Sequence, residues 1–214
     1  MYAAHKASGG MTSIYRQVGI GVERLFRRIL IDHLGIEEAE SKWSYDVIVQ
    51  DENGKNRTKS FHLDGRIIFE NVKDLTKRSA IHDWVDINAK QLAISESIAS
   101  SLEGVVFEVR QGYKSKDSKR QNADIGNAVV AYTSSYLPCV ALMSTQIDTD
   151  VILRYKNNKW AFLVGHPDGG GTTESLYVFM KEIVGYDLVN FFKRNSTAIR
   201  TETAKVLESI LRAK

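Results

Sequence analysis

The chain has 214 residues and a formal net charge of +3; 43% of its residues are hydrophobic and 26% are charged. This composition predicts one soluble globular domain over residues 1–214, and it excludes a disordered, collagen-like or coiled-coil protein. No run of about 20 uncharged apolar residues is present, so we expect no membrane span and no membrane partner. The chain has a single cysteine, Cys139, so an internal disulfide and a multi-cysteine zinc site are excluded. This agrees with a reducing, cytoplasmic compartment, and we expect Cys139 to be a small core residue.

The N-terminal part of the sequence predicts a helix behind a short arm. Residues 1–10 end in Ser-Gly-Gly and lack periodicity, so they are predicted to form a loose arm. Apolar residues recur at helical spacing over residues 11–34, which predicts an amphipathic helix that ends at Gly35.

Extended and helical patterns alternate after this helix. The runs 43–50 and 58–72 are rich in β-branched and aromatic residues, and the turn signal Asn53-Gly54 between them predicts a β-hairpin. Residues 74–103 have helical periodicity, and Gly104 is predicted to end that helix as a left-handed cap.

A strand, a helix and a second strand are predicted next. Residues 104–111 form a short strand that is apolar until Glu108, residues 123–132 a core helix, and residues 136–144 a buried strand. The predicted order is therefore α-β-β-(α)-β-α-β, which makes this part of the chain α/β.

Residues 146–214 are predicted to form a C-terminal extension of strands and helices. Residues 151–155 and 159–165 are expected to form a strand pair or a strand with a loop, and helices are expected at 174–193 and 196–213. The glycine-rich loop HPDGGGTT lacks the Lys-Ser/Thr pair of a phosphate-binding P-loop, so no nucleotide cofactor is expected.

Acidic residues lie at two strands that are predicted to pair. Asp64-Gly65 precedes the apolar strand RIIFE, and Glu108 and Arg110 are separated by one residue in GVVFEVRQ. Alternate side chains of a strand point to the same side, so Glu108 and Arg110 project together while Val109 faces the core. Pairing of the two strands would bring Asp64 beside them. Carboxylate oxygens suit a hard ion such as Mg²⁺.

A basic run follows these acids. Between Arg110 and Arg120 it has five basic residues and one acid, Asp117. Lys and Arg side chains can bind phosphates, and the side-chain amides of Gln121 and Asn122 can pair with adenine edges. Capping of the following helix is the alternative role for these two amides. The candidate DNA-binding residues are Tyr113, Lys114, Lys116, Lys119, Arg120, Gln121 and Asn122.

With these features the chain resembles the PD-(D/E)XK nuclease superfamily, and more closely its type II restriction endonucleases. The resemblance rests on LDG at 63–65, FEVRQG at 107–112, the basic loop, and Glu23 in VERLF of the first helix. It covers residues 15–145. It implies an αβββαβ restriction-endonuclease-like core with a mixed sheet flanked by helices, followed here by C-terminal helices.

The resemblance also implies a Mg²⁺ site. Carried over, the metal ligands are Asp64, Glu108 and the main-chain carbonyl of Val109. Glu23 matches a supporting acid that some members have on the first core helix; an exposed ion pair between Glu23 and Arg27 is the structural alternative. Structural roles for Asp64, as a turn carboxylate, and for Glu108, as an ion-paired strand acid, also remain open.

The chain departs from the family pattern at two positions. Leu63 replaces the proline of the first motif, and Arg110 occupies the place of the catalytic lysine. An arginine has a pKa above ~12 and cannot act as a general base, so it would orient water or stabilise charge. Either Lys114 or Lys116 would then reach back from the loop to take the lysine role, or the site would be inactive.

Glu70 and Lys73 form a rival acid and base pair in FENVK. They rank second because Glu70 falls one strand too early in the core order. Which of Asp64 and Glu70 is the first metal ligand stays open at this point.

The activity implied by the resemblance is Mg²⁺-dependent hydrolysis of double-stranded DNA at a short, palindromic site. A homodimer in the cytoplasm of a bacterial or archaeal cell is the expected form. Two alternatives remain: a non-catalytic nucleic-acid-binding module with the same fold, and a protein in which all these acids are structural.

Overall fold

The structure, a computed structural model, describes residues 2–50, 54–113 and 118–212. It is mixed α/β, with a four-stranded mixed sheet flanked by helices and a separate two-stranded sheet. The helices and strands are α1 (Tyr2–Leu34), β1 (Trp43–Gln50), β2 (Asn56–Leu63), β3 (Gly65–Ile68), α2 (Leu75–Gln91), α3 (Glu96–Ala99), β4 (Gly104–Arg110), α4 (Ser118–Thr133), β5 (Tyr136–Leu142), α5 (Thr149–Asn157), β6 (Ala161–Leu163), α6 (Leu176–Phe179) and α7 (Leu188–Arg212).

The main sheet has the strand order β3-β4-β5-β6. Strand β3 is antiparallel to β4, whereas β4, β5 and β6 are mutually parallel. Strands β1 and β2 form the predicted hairpin, an antiparallel ribbon outside this sheet.

The two faces of the sheet bury two hydrophobic clusters. Phe107 and Val109 lie in the cluster that contains Phe26 of α1, together with α2 and α6. Val106 of the same strand lies in the other cluster, with Tyr155 of α5 and part of α4. Because side chains alternate along a strand, Glu108 shares the face of Val106. Cys139 is buried in the first cluster, as predicted for a core residue.

The predicted loose arm at 1–10 is wrong for residues 2–10, because α1 begins at Tyr2. A glycine in a helix costs about 1 kcal/mol relative to alanine but keeps its N–H and C=O for the helical ladder. The pair Gly9-Gly10 therefore weakens the helix without ending it. The predicted end is confirmed, since Gly35 follows Leu34 with φ +69.

The run predicted as one strand over 58–72 is divided at Asp64. Strand β2 ends at Leu63 and β3 begins at Gly65 in a different sheet; a 3₁₀ turn over Phe69–Asn71 follows β3. A Cβ atom at Gly65 would lie 2.8 Å from the Phe26 ring, so glycine permits the close approach of α1 to this bend.

The helix predicted over 74–103 is two helices, α2 and α3, separated at Ala93 by a backbone φ of +50. Gly104 is not a left-handed cap: it is the first residue of β4 and pairs with Ile68. A Cβ atom there would lie 2.0 Å from the Ile67 carbonyl oxygen. Close packing of two strands, not helix termination, requires this glycine.

The C-terminal extension is more helical than predicted. Residues 151–155 belong to α5, because Val151 and Tyr155 are buried one helical turn apart while Leu153 is 53% exposed. The second predicted helix begins at Leu188, with Asp187 accepting the N–H of Asn190 at 2.8 Å, so Ser196 lies inside α7.

No helix in the described part of the chain is both long and apolar enough to cross a membrane.

Candidate active site

Asp64 lies at the bend between β2 and β3 and is held by main-chain hydrogen bonds. Its N–H donates to the Phe107 carbonyl at 2.8 Å, and its carboxylate Oδ2 accepts the N–H of Val109 at 2.8 Å. Arg27 of α1 donates from Nη1 to the Asp64 carbonyl at 2.9 Å. These contacts bring the predicted first acid against the strand that carries Glu108 and Arg110.

Burial raises the pKa of Asp64 to about 6. The hydrogen bond from Val109 opposes this rise, the negative charge of Glu23 adds to it, and the positive charges of Arg27 and Arg110 oppose it. Glu23 is half-buried on α1 and close enough to act on Asp64 electrostatically. Two neighbouring carboxylates of like charge disfavour each other's ionised form.

Glu108 and Arg110 project to the same side of β4, as predicted. Arg110 Nη2 lies 3.0 Å from Glu108 Oε1, and the two side chains are only 8% and 11% exposed, respectively. Nη2 also forms a buried ion pair with Asp124 of α4. Burial acts against the charge, but Glu108, Asp124 and the neighbouring tyrosine hydroxyls raise the pKa of Arg110 above its usual value. Arg110 is therefore a permanent cation and not a proton acceptor.

Tyrosine hydroxyls extend this cluster. Tyr155 of α5 donates to Asp124 Oδ2, and Tyr113 donates to the Tyr155 hydroxyl at 2.7 Å. The Arg110 guanidinium lies 4.8 Å from the centre of the Tyr113 ring. Burial raises the pKa of Tyr113 to about 12. The phenol predicted to contact DNA thus packs within the protein in this structure.

A cleft of about 410 Å³ opens between α1 and the end of β4. Its lining comes from both elements: Tyr15, Arg16, Gly19, Ile20 and Glu23 on α1, and Val109, Arg110, Gln111 and Gly112 at the strand end. The carboxamide oxygen of Gln111 is buried and has no hydrogen-bond partner among the described residues. Glu23 is therefore a cleft residue as well as a neighbour of Asp64.

The available donors fit a Mg²⁺ ion that has few protein ligands. Such an ion typically uses one or two carboxylates and completes its octahedron with water and substrate phosphate oxygens. The Asp64 carboxylate accepts the Val109 N–H, and Glu108 is the residue that precedes Val109 on β4. In the described part of the chain, no group of three or more His, Cys, Asp or Glu side chains is arranged to hold a metal.

Most of the candidate DNA-binding side chains lie outside the part of the chain that the structure describes. Lys114 and Lys116 fall outside the described residues, and so do the side chains of Lys119, Arg120 and Gln121, whose backbone lies in α4. Asn122 is exposed and accepts a 2.5 Å hydrogen bond from Arg154. Because α4 begins at Ser118, neither Gln121 nor Asn122 is its N-cap.

Glu70 lies near the end of β4 that is opposite to Glu108. The register pairs Gly65 with Phe107 and Ile68 with Gly104, so Glu70, in the turn after β3, follows the opposite end of β4 from Glu108. Glu108 lies four positions from Gly104 on β4, which is about 13 Å along the strand. Glu70 is also exposed. The geometry therefore favours Asp64 over Glu70 as the first acid.

Sequence reasoning missed Asp124. A signal for it existed, because the buried face of α4 is Asp124, Asn127, Ala128 and Ala131, and polar residues on an otherwise apolar helical stripe need partners. Asn127 accepts from the Tyr45 hydroxyl of the β1–β2 ribbon, and Asp124 binds Arg110. The sequence does not identify these partners, because they come from distant segments.

No family model, no curated protein and no solved structure matches this chain.

Proposed function

We propose that this chain is a Mg²⁺-dependent endodeoxyribonuclease of the type II restriction endonuclease class. The observation that carries the proposal is the hydrogen bond from the Val109 N–H to the Asp64 carboxylate, which joins the first acid to the Glu-x-Arg strand. The element order through residue 142, with a helix before the first strands and α4 between β4 and β5, supports a restriction-endonuclease-like core.

Three groups would hold the ion: the carboxylates of Asp64 and Glu108 and the carbonyl of Val109. When bound, Mg²⁺ supplies an activated water and neutralises charge on the phosphoryl group. Hydrolysis forms a bond between the water oxygen and phosphorus and breaks the bond from phosphorus to O3′. The O3′ atom takes up a proton, leaving a 5′-phosphate and a 3′-hydroxyl.

The proton acceptor in this proposal is a lysine of the basic segment. Arg110 stays charged and is paired with Glu108 and Asp124, so its role is to fix Glu108 and to add positive charge near the phosphate. Lys114, four residues further on, is the candidate that takes the proton from water. Glu23, which acts electrostatically on Asp64, supports the ion or its waters.

The substrate is double-stranded DNA with a short palindromic site, cut by a homodimer. A twofold axis gives each subunit one half-site and one strand. The basic residues of segment 114–120 would contact phosphates, and Gln121 and Asn122 would read base edges.

The test is incubation of the purified protein with plasmid and phage DNA, with Mg²⁺ or with EDTA, followed by sequencing of the fragment ends. We expect discrete fragments only with Mg²⁺, and ends that share one short sequence. Glu108→Gln should abolish cleavage and leave DNA binding intact, whereas Glu70→Gln, a matched change of an exposed acid, should cleave normally. Cleavage by the Glu108 variant would remove Glu108 from the site.

A second candidate is a non-catalytic nucleic-acid-binding module, which the pairing of Arg110 favours. Both carboxylates near Arg110 are neutralised in part by its charge, as in a structural ion cluster. This candidate predicts salt-dependent binding that Mg²⁺ does not change, with no strand scission on any DNA tested.

A further inference from the structure

One wall of the cleft between α1 and the end of β4 is a single face of α1. Its residues Arg16, Gly19, Ile20 and Glu23 recur every three or four positions, so they lie along one stripe of the helix. At about 1.5 Å per residue, the stripe extends about 10 Å from Arg16 to Glu23. Glu23 marks the end near Asp64, on which it acts electrostatically. The cleft therefore leads from Arg16 to the candidate active site.

Gly19 keeps this wall open. No atom of the described residues lies within 4 Å of the position that a Cβ would take at Gly19. A glycine inside a helix lowers the stability of that helix relative to alanine, so it has a cost that no packing contact requires here. A glycine does allow a ligand to approach the helix backbone closely. Gly21 is equally open but does not line the cleft, so Gly19 is the place where a ligand in the cleft can lie against α1.

The end of the cleft away from Asp64 offers groups that suit an anion. Arg16 is exposed there and lies two helical turns from Glu23, the acid of the cleft lining. On the strand side, the carboxamide oxygen of Gln111 has no hydrogen-bond partner among the described residues. Turning this amide to present its N–H groups to a ligand therefore breaks no hydrogen bond of that oxygen. Arginine and amide donors bind phosphate oxygens in protein–DNA interfaces.

We propose that the cleft binds the sugar–phosphate backbone of one DNA strand, with a phosphate at Arg16 and the strand lying against α1 at Gly19. This inference deepens the proposed function and rests on its DNA substrate, but it does not require a bound metal. Each strand of B-DNA carries one phosphate per ~3.4 Å of helix axis. A phosphate at Arg16 is therefore about three nucleotides from one at the level of Glu23, and the cleft would guide the strand toward the position where it is cut.

The test measures binding of a fluorescein-labelled DNA duplex by fluorescence anisotropy in EDTA, where the proposed nuclease cannot cut. Gly19→Leu places a side chain in the space that the strand would occupy. We expect it to weaken duplex binding by about tenfold or more, because the added side chain clashes with the strand. Gly21→Leu is the matched control, since it makes the same change on the same helix outside the cleft. This control should bind DNA as the wild type does.

Arg16→Gln tests the phosphate contact separately. Loss of one phosphate contact lowers the slope of log K against log salt by about 1, and we expect this change in titrations at several salt concentrations. Arg28→Gln is the control on the same helix: Arg28 pairs with Asp32 at 2.7 Å and does not line the cleft, so its slope should equal that of the wild type. Inorganic phosphate, compared with NaCl of equal ionic strength, should not displace the duplex, because the cleft binds a strand and not a free phosphate.

Thermal unfolding by circular dichroism checks that each variant is folded. Leucine has a higher helix propensity than glycine, so both leucine variants should unfold at or above the wild-type temperature. If Gly19→Leu does not fold, Gly19→Ala should weaken duplex binding in the same direction by a smaller factor.

The outcomes separate this inference from the proposed function. Equal DNA affinities of the folded Gly19→Leu and Gly21→Leu proteins overturn the inference alone if the wild type cleaves DNA with Mg²⁺. An unchanged salt slope in Arg16→Gln, or displacement of the duplex by inorganic phosphate, also overturns it. A wild-type protein that binds the duplex, weakens only in the cleft variants and never cuts DNA overturns the proposed nuclease and supports the inference. A wild-type protein that does not bind DNA overturns both.

Discussion

Asp64 accepts the N–H of Val109 at 2.8 Å across 45 positions of sequence. Val109 is the residue between Glu108 and Arg110, so this hydrogen bond aligns the bend at Asp64 with the Glu-x-Arg strand. It also accounts for the interruption between β2 and β3, because the Asp64 side chain takes up a β4 main-chain donor beyond the last β3 pair, Gly65 with Phe107.

Asp64→Asn should reduce Mg²⁺-dependent DNA cleavage by a factor of about 100 or more, because a neutral amide is a poor ligand for a hard cation. The amide oxygen still accepts the Val109 N–H, so we expect the fold to be kept. Initial rates of plasmid cleavage at saturating Mg²⁺ test this. Asp83→Asn, the same change at an exposed site on α2, should cleave at the wild-type rate. An active Asp64→Asn protein would rule out a metal-binding role for this residue.

The raised pKa of Asp64 predicts a pH-dependent stability in EDTA. The folded pKa is about 6 and the unfolded value is ordinary, near ~3.9, so between these values the folded state binds more protons than the unfolded state. The contribution of Asp64 is therefore most favourable below about pH 4, and it is lost as the pH rises through 6.

Denaturant unfolding of the wild-type protein and Asp64→Asn over pH 4–8 tests this sign. The variant should match the wild type near pH 4 and exceed it above pH 6, by on the order of 2 kcal/mol. Adding Mg²⁺ at pH 7.5 should narrow the gap by stabilising only the wild type. A gap that stays constant over the whole pH range would contradict the raised pKa.

Gly104→Ala should destabilise the protein by about 3 kcal/mol or more, because a Cβ at this position meets the Ile67 carbonyl oxygen at 2.0 Å and forces β3 away from β4. Gly126→Ala is the matched control: it lies in α4 with nothing within 4 Å of the added carbon. Alanine there should stabilise the helix by about 0.5–1 kcal/mol. Urea unfolding of both variants gives the comparison, and a tolerated Gly104→Ala would show that the two strands can separate at little cost.

Neutralising the basic segment should weaken DNA binding and its dependence on salt. Changing Lys114, Lys116, Lys119 and Arg120 to Gln removes up to four phosphate contacts, so the slope of log K against log salt should fall by up to about 3 to 4. The matched control changes four basic residues of α7 to Gln: Lys193, Arg194, Arg200 and Lys205. Fluorescence anisotropy with labelled duplex DNA from 50 to 300 mM salt measures both. An equal effect of the two sets would mean that binding depends only on total charge.

Elements with strong local patterns could be predicted from the sequence. Periodicity and turn residues, which are signals between near neighbours in the sequence, predict five of these elements. They are the main part of α1, the β1–β2 hairpin, β4, α4 and β5. The same local rule predicts that Glu108 and Arg110 share one side of β4, which their 3.0 Å contact agrees with. The wrong assignments fall where local signals conflict, as at Gly9-Gly10, Gly104 and residues 151–155.

Local features of this chain follow from covalent geometry and near neighbours. They are the helical and strand periods and the acid and cation at alternate positions of one strand. Three other features depend on contacts between distant segments: Asp64 binds the Val109 N–H, Gly104 permits close packing of β3 and β4, and Asp124 binds Arg110. These contacts join residues 14 to 45 positions apart in the sequence. They form only when burial of the apolar faces has set the positions of α1 and α4 on the sheet.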